Sequence, residues 1–406
     1  MNQNKFIKNL SFALFAQVIS LMSSFFVQFF APKVLSVEEY AYWQLFLFYV
    51  SYINISRIGI IDGIYLKLGG KSRDELDCET LKTKWLIFLA MQVFFSTIMA
   101  VITNITISDV DRRFVLVACA ICMVLINMNN FLGFLFQAIN ETNIYSVSEI
   151  IYNLLWFVAV GAIYLYKIEN YKIIVYMYVL GQIFAFFYLT FKANFLFSAK
   201  AKKIKEVVID MVDDAKCGMA LLISMYASML VTGSARLVVD NYWGIEAFGY
   251  FSFSMSLTTF LLKFISQISM VLFPAIRRIQ KNAQRLIFNN VNIILALILP
   301  SALLLFVPMK IAVGKWLPQY ETSLHYFGIL LPICVFDGKM QLLYSTYLKV
   351  LRKEKILLYI NGVAVCVSLG LSVIGAYLFH SLEFIAWSLL VAIAIRSIIA
   401  EISLMR

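Results

Sequence analysis

The residues best equipped for chemistry in this 406-residue chain are charged side chains placed inside long apolar runs. The cations are Arg57, Lys192, Arg236, Lys263, Lys339 and Arg396, and the acids are Asp62, Glu149, Asp240, Asp337 and Glu401. In a bilayer each such charge costs about 2.5–3.5 kcal/mol on insertion scales, so it is expected to face a bundle interior or an aqueous cavity. Arg236 and Asp240 are four apart, share a helix face and can pair. Arg57 and Asp62 are five apart and face somewhat different directions on a continuous helix. Lys339 follows Asp337 and Gly338, where a helix can unwind. Lys263 and Arg396 have no acidic neighbour within four residues on their own helices. Lys192, Glu149 and Glu401 lie near a boundary and can snorkel to it. Arg57, Arg236, Lys263, Lys339 and Arg396 therefore form a candidate substrate-binding set for an anion. Phosphate suits it best, because arginine binds phosphate bidentately. Asp62, Asp240 and Asp337 are the candidate ion-coupling acids, since a desolvated carboxyl holds a proton more readily.

Other chemistries find little support. There is no HExxH, no GxxxxGK[ST] and no convincing dinucleotide fingerprint, so no cofactor or metal is expected. The only histidines, His325 and His380, fall near helix ends and read as solvated interfacial residues rather than a catalytic pair. Cys119 and Cys122 form a CxxC inside an apolar run, where small residues packing between helices explain them better than redox chemistry. Asn127, Asn129 and Asn130 cluster midway along one run and read as interhelical hydrogen-bonding groups. No loop exceeds about 20 residues, too short for an extramembrane catalytic domain.

The elements that position these residues follow from composition. The chain is 62% hydrophobic and only 14% charged, with a mean hydropathy of +0.84. Typical soluble chains are about 45–50% apolar and about 25% charged, so the fold class expected is an all-α polytopic membrane protein. Taking about 20 apolar residues per span gives twelve spans: roughly 8–30, 41–66, 85–107, 114–138, 144–166, 172–197, 218–240, 247–272, 286–308, 324–348, 356–379 and 384–405. Phe273-Pro274 is expected to end the eighth, and Pro300 falls within the ninth. The chain divides into a first six-helix bundle (1–197), a basic and amphipathic connector (198–217) and a second six-helix bundle (218–406). The connector carries Lys200, Lys202, Lys203 and Lys205, then Glu206, Asp210, Asp213 and Asp214, and reads as a cytoplasmic segment on the membrane surface.

The net charge of +11 is explained by topology rather than by nucleic acid. With the N-terminus inside, inner loops carry about 21 of the lysines and arginines and outer loops about 7. The inner set includes Lys71, Arg73, Lys82, Lys84, Arg277, Arg278, Lys281, Arg285, Lys349, Arg352, Lys353 and Lys355, so both termini are expected to be cytoplasmic. One short stretch occurs twice. Val37-Glu38-Glu39-Tyr40-Ala41-Tyr42-Trp43 and Ile245-Glu246-Ala247-Phe248-Gly249-Tyr250-Phe251 lie 208 residues apart, about half the chain. With the matching hydropathy around them they indicate duplication. Two halves of six spans share one orientation and are expected to be related by a pseudo-twofold axis along the membrane normal.

Twelve helices in two halves, a basic central connector and the outer Glu-x-aromatic-small-Tyr-aromatic stretch resemble the bacterial polysaccharide (Wzx-type) flippases, which are similar to the multidrug exporters of the same superfamily. The best local match runs from Glu38 to Trp43, with the stretch from Gly59 to Gly69 after it. Ala41 departs mildly from the glycine common there. The resemblance implies alternating access, movement of undecaprenyl-pyrophosphate-linked oligosaccharide from the inner to the outer leaflet of the bacterial cytoplasmic membrane, and coupling to a proton or sodium ion. The partners it implies are membrane lipid, a polysaccharide polymerase and a chain-length regulator. A drug exporter of this fold would favour acids in its cavity, whereas here the cations at least equal the acids. A membrane polymerase would carry a large outer loop, and an acyltransferase a catalytic histidine near the membrane. Neither feature stands out.

Overall fold

The computed structural model describes residues 3–277, 281–351 and 353–405, with side chains described outside 3–17, 264–287, 349–350 and 354. The side chains of the expected inner-loop residues Arg277, Arg278, Lys281, Arg285, Lys349 and Arg352 lie outside those described, and the expected stop at Phe273-Pro274 does not hold, because the helix continues to Arg277. The chain is 90% helical with no strands among the described residues. Eight helices are long and apolar enough to cross a bilayer, or ten if each of two bent pairs counts as one span. The protein is a multi-pass membrane protein. Two compact units divide it, Met1–Leu222 and Ile223–Arg406.

The first unit contains α1 (Gln3–Val34), α2 (Val37–Tyr52), α3 (Ile60–Leu68), α4 (Cys78–Thr106), α5 (Val110–Ala138), α6 (Thr142–Tyr166), α7 (Tyr171–Lys192), the short α8 (Asn194–Phe197) and the start of α9 (Ile204–Arg277). Polar residues set the helix starts by accepting from backbone N–H groups that would otherwise lack partners. Ser36 accepts from Glu39, Asp77 from Thr80, Asp109 from Asp111 and Arg112, and Asn170 from Lys172. The repeated stretch gathers one end of this unit. Glu39 accepts from the Tyr171 N–H at 2.7 Å, Tyr42 donates to Asp109 at 3.1 Å, and Tyr40 and Trp43 are fully buried. In the second copy the matching Phe248 and Phe251 are buried too. The motif therefore packs each half at one end.

The opposite end of the first unit departs from the expected surface connector. A turn at Ser198 leads into the irregular residues 200–203, and α9 then begins at Ile204 and runs on as one helix to Gly244. Val207, Met211 and Asp214 are buried in the first unit's core, because their spacing puts apolar and acidic residues on one helix face. Lys84 bridges Asp210 (2.5 Å) and Asp214, and Lys67 bridges Asp214 (2.6 Å) and Asp210 (3.2 Å). Lys202 bonds Asp77 and Thr80, each at 3.0 Å. The Thr80 hydroxyl and N–H, helped by Lys202, hold the Asp77 carboxyl down at about 2. This interlocked cluster lies within the first compact unit, which extends to Leu222.

The second unit holds the rest of α9, then α10 (Lys281–Ile298), α11 (Phe306–Trp316), α12 (Glu321–Leu330), α13 (Ile333–Lys339), α14 (Ser345–Val350), α15 (Glu354–Tyr377) and α16 (Leu382–Met405). Inside α9, Gly244 has φ 82° and ψ −168°, a conformation closed to residues with a Cβ, and it separates the expected seventh and eighth spans. Pro300 falls, as expected, within the ninth span, Phe288–Trp316, where it opens a 3₁₀ stretch, Leu299–Leu305, after α10. Pro332 sits at the 48° bend between α12 and α13. A core of Phe288, Met340, Leu343, Tyr344, Leu357, Ile360 and Ala400 joins α10, α15 and α16 to the stretch after α13.

Candidate functional site: two buried arginine–aspartate pairs

In the first unit the chain breaks between Arg57 and Asp62. A 3₁₀ turn, Ile53–Arg57, is followed by Ile58 (φ 49°) and Gly59 (φ 73°), both left-handed, and the helix resumes in α3 at 64° to its earlier direction. The continuous helix expected here would hold the two side chains apart. The break instead folds Asp62 back onto the guanidinium: Nε and Nη2 each lie 3.0 Å from a carboxylate oxygen. The pair is sealed. Arg57 is 4% exposed and Asp62 3%, and the guanidinium also lies over the Phe134 ring at 5.5 Å. Glycines enforce the seal. A Cβ at Gly63 would stand 1.9 Å from the Asp214 carbonyl oxygen, and one at Gly218 2.1 Å from that of Gly59. Backbones of α3 and α9 thus meet directly, a small-residue crossing of the kind favoured between membrane helices.

In the second unit Arg396 finds its acid on another helix. Its Nη1 donates to Asp337 Oδ1 (2.9 Å), Nε to Asn361 Oδ1 (2.8 Å) and Nη2 to Ser228 Oγ (2.6 Å). Asn361 is oriented in turn by donating to the Ser224 carbonyl at 3.2 Å, and Gln341 donates to the other Asp337 oxygen at 2.7 Å. A guanidinium has five N–H donors, so these three bonds leave one on each terminal nitrogen. Beside it lies a cavity of about 230 Å³, lined by Arg396, Asp337, Lys263, Gln341, the hydroxyls of Ser228, Thr232, Thr258 and Thr259, and the apolar Met229, Met255, Leu262 and Ile333. The lining thus brings together two cations, one carboxylate and four hydroxyl-bearing residues.

The remaining candidates lie elsewhere. Arg236 donates to Ser252 Oγ through Nε (3.2 Å) and Nη2 (3.0 Å) and lies over Phe248 at 5.0 Å, while Asp240, one turn on, is buried. Lys339 is not among the residues lining the cavity. Asp337 and Gln341, four apart, share the lining face, and Lys339 between them is turned away, where its charge acts on Glu401. The unwinding expected at Asp337-Gly338 is a wide π turn one step later, Met340–Tyr344. Lys192 lies near the Tyr188 and Phe191 rings. The three asparagines bond across helices: Asn127 to Ser56 and Gln92, Asn129 to Gln182, Asn130 to Asn54. His380 contacts the Tyr242 hydroxyl, and His325 lies 3.4 Å from Glu383.

Sequence reasoning missed Ser228, Asn361, Gln341, Thr258 and Thr259. Asn361 carried a signal as a lone amide in an apolar run, and Gln341 one as the residue four after Asp337. The hydroxyls carried none, because serine and threonine are common throughout membrane helices.

No family model and no curated protein matches the chain. Solved structures do. The lipid II flippase MurJ in an inward closed conformation superposes with a TM-score of 0.77 over 98% of this chain and 88% of its own, at 12% identity. A multidrug resistance MATE family transporter of the MOP superfamily, inward-facing, gives 0.69 over 98% and 96%, at 11% identity. A MOP superfamily transporter from Pyrococcus furiosus Vc1, described by the reverse polarity of its binding pocket, gives 0.52 over 98% and 93%, at 10% identity. The fold is that of MOP-superfamily transporters.

Proposed function

We propose that this chain is a flippase carrying undecaprenyl-pyrophosphate-linked oligosaccharide from the inner to the outer leaflet of a bacterial cytoplasmic membrane for surface polysaccharide synthesis. It works by alternating access coupled to a cation gradient, with twelve spans in two pseudo-twofold-related bundles and both termini cytoplasmic. It forms and breaks no covalent bond. The observation that carries this reading is the second unit's cavity, where Arg396 and Lys263 outnumber Asp337. A pyrophosphate can take the two remaining Arg396 N–H donors without displacing Asp337, with the Lys263 charge lining the same cavity. The lining hydroxyls suit either phosphate oxygens or the first sugar. The fold it shares with a lipid II flippase supports a lipid-linked substrate.

In this reading Asp240 neutralises Arg236 while the site is empty, and Arg57 and Lys339 stand outside the anion-binding wall. A cation-coupled drug exporter is the second reading, favoured by the MATE likeness and by Asp337 in the cavity. The test uses purified full-length protein in phospholipid vesicles loaded with undecaprenyl-pyrophosphate-linked oligosaccharide. Exposure of the sugar to a membrane-impermeant glycosidase reports its arrival in the outer leaflet. Protein-dependent exposure is expected. No exposure, together with gradient-driven movement of a cationic dye, would replace the flippase reading with the exporter.

A further inference from the structure

Of the candidate coupling acids Asp62, Asp240 and Asp337, the first and the last each hold an arginine, at 3.0 and 2.9 Å. Each of these carboxylates is therefore already engaged by a fixed cationic partner. Glu149 on α6 differs. Its carboxylate accepts from the Tyr152 hydroxyl at 2.9 Å and from the Tyr145 hydroxyl, and no lysine or arginine among the described residues pairs with it. It is not at a helix end free to reach water as expected, because phenols one turn to either side clasp it. The helices packed on α6 are α1, α5 and α7. From them, the titratable groups facing this cluster are Tyr178 of α7, which feels the Glu149 charge, and Cys119 and Cys122 of α5 beyond Tyr178. The span of α1 from Val18 to Pro32 has no titratable side chain. Arg57 reaches the cluster only through Tyr145, and its charge is already met by Asp62.

We infer that Glu149 is the proton-carrying residue of the transport cycle. One proton from water on one side adds to the carboxylate to give the neutral acid, and the same proton leaves to the other side when the carboxylate re-forms. Tyr152 and Tyr145 are positioning residues, donating to the charged form and accepting from the acid through the same oxygens. This inference rests on the gradient-coupled transport proposed above, and its test separates the two.

The purified full-length protein in vesicles is titrated, without substrate, by infrared difference spectroscopy between neutral and acid pH. The wild type is expected to show the C=O stretch of a protonated carboxylic acid that Glu149→Gln loses. Tyr152→Phe, which removes a donor but keeps the ring, is expected to move the titration of that band to higher pH. A band unchanged in both variants overturns the assignment, whatever the protein transports. In the transport arm, Glu149→Gln is expected to abolish stimulation by a proton gradient while exchange of labelled lipid-linked glycan down its own gradient continues. Gradient stimulation equal to wild type also overturns the assignment. A wild type that moves no lipid-linked glycan counts against the functional reading, and the infrared result still decides Glu149.

Discussion

Arg57–Asp62 and Asp337–Arg396 are both buried arginine–aspartate pairs beside a bent span, one in each unit, and they differ in what lies beyond the guanidinium. The first joins residues five apart and is closed over by Phe134 and by the glycine-lined crossing of α3 and α9. The second joins residues 59 apart and opens on a cavity with a further cation. The same chemical pair thus serves as a clamp on a broken helix in one place and as the base of a binding wall in the other. The distinction rests on access to a cavity, since both arginines are more than nine-tenths buried.

Neutralising each pair separately puts the largest effect on this comparison. Arg57→Gln leaves Asp62 buried and unpaired, at a cost of about 3–5 kcal/mol, and is expected to cut membrane abundance sharply. Arg57→Gln with Asp62→Asn is expected to restore both abundance and glycan-lipid flipping. The matching double variant, Arg396→Gln with Asp337→Asn, is expected to restore abundance while flipping stays at least about tenfold down, equivalent to 1.4 kcal/mol in the barrier. Equal recovery of flipping by both doubles would erase the distinction.

Glycines sharpen the structural side. Gly63→Ala forces the α3 and α9 backbones apart and is expected to lower thermal stability by about 1–3 kcal/mol. Gly161→Ala, where an added methyl meets nothing within 4 Å, is expected to be neutral or to gain about 0.5–1 kcal/mol. Thermal denaturation in detergent reads both, and a reversed order would contradict the crossing.

Arg236 tests whether a cation without the cavity's company carries function. Arg236→Ala is expected to lose transport and Arg236→Lys to keep part of it. Full transport by the alanine variant at wild-type abundance would make Arg236 a packing residue against Ser252 and Phe248.

The smallest effect belongs to the first unit's Lys202–Asp77 contact. Asp77→Ala removes a helix cap worth about 1 kcal/mol. Because the folded carboxyl is depressed to about 2 from 3.8, its contribution is present above about pH 3.8 and fades as pH falls toward 2. The stability difference between wild type and variant is expected to disappear over that window, and a difference that persists below it would contradict the hydrogen-bonded carboxylate.

The all-helical membrane fold was legible because apolar runs and lysine-rich loops are properties of short stretches. The partners were not. Arg57 and Asp62 were visible as neighbours, but their pairing required a left-handed Ile58 that no residue preference announces. Arg396 and Asp337 could be listed but not joined, because helix rotation is set by packing between segments 59 residues apart. Glu149 was set aside as a residue near a helix end, since the phenols that hold it are ordinary aromatic residues until the helix places them a turn away. The connector was read from its charge, yet Val207, Met211 and Asp214 bury one face of it.

The central claim is that Arg396 and Lys263 hold an anionic headgroup in the second unit's cavity. Its most direct test is outer-leaflet appearance of lipid-linked glycan in the Lys263→Gln, Arg396→Gln double variant, at matched protein abundance. The account predicts near-complete loss of translocation, with each single change cutting it partway. Translocation at the wild-type rate in the double variant would contradict it.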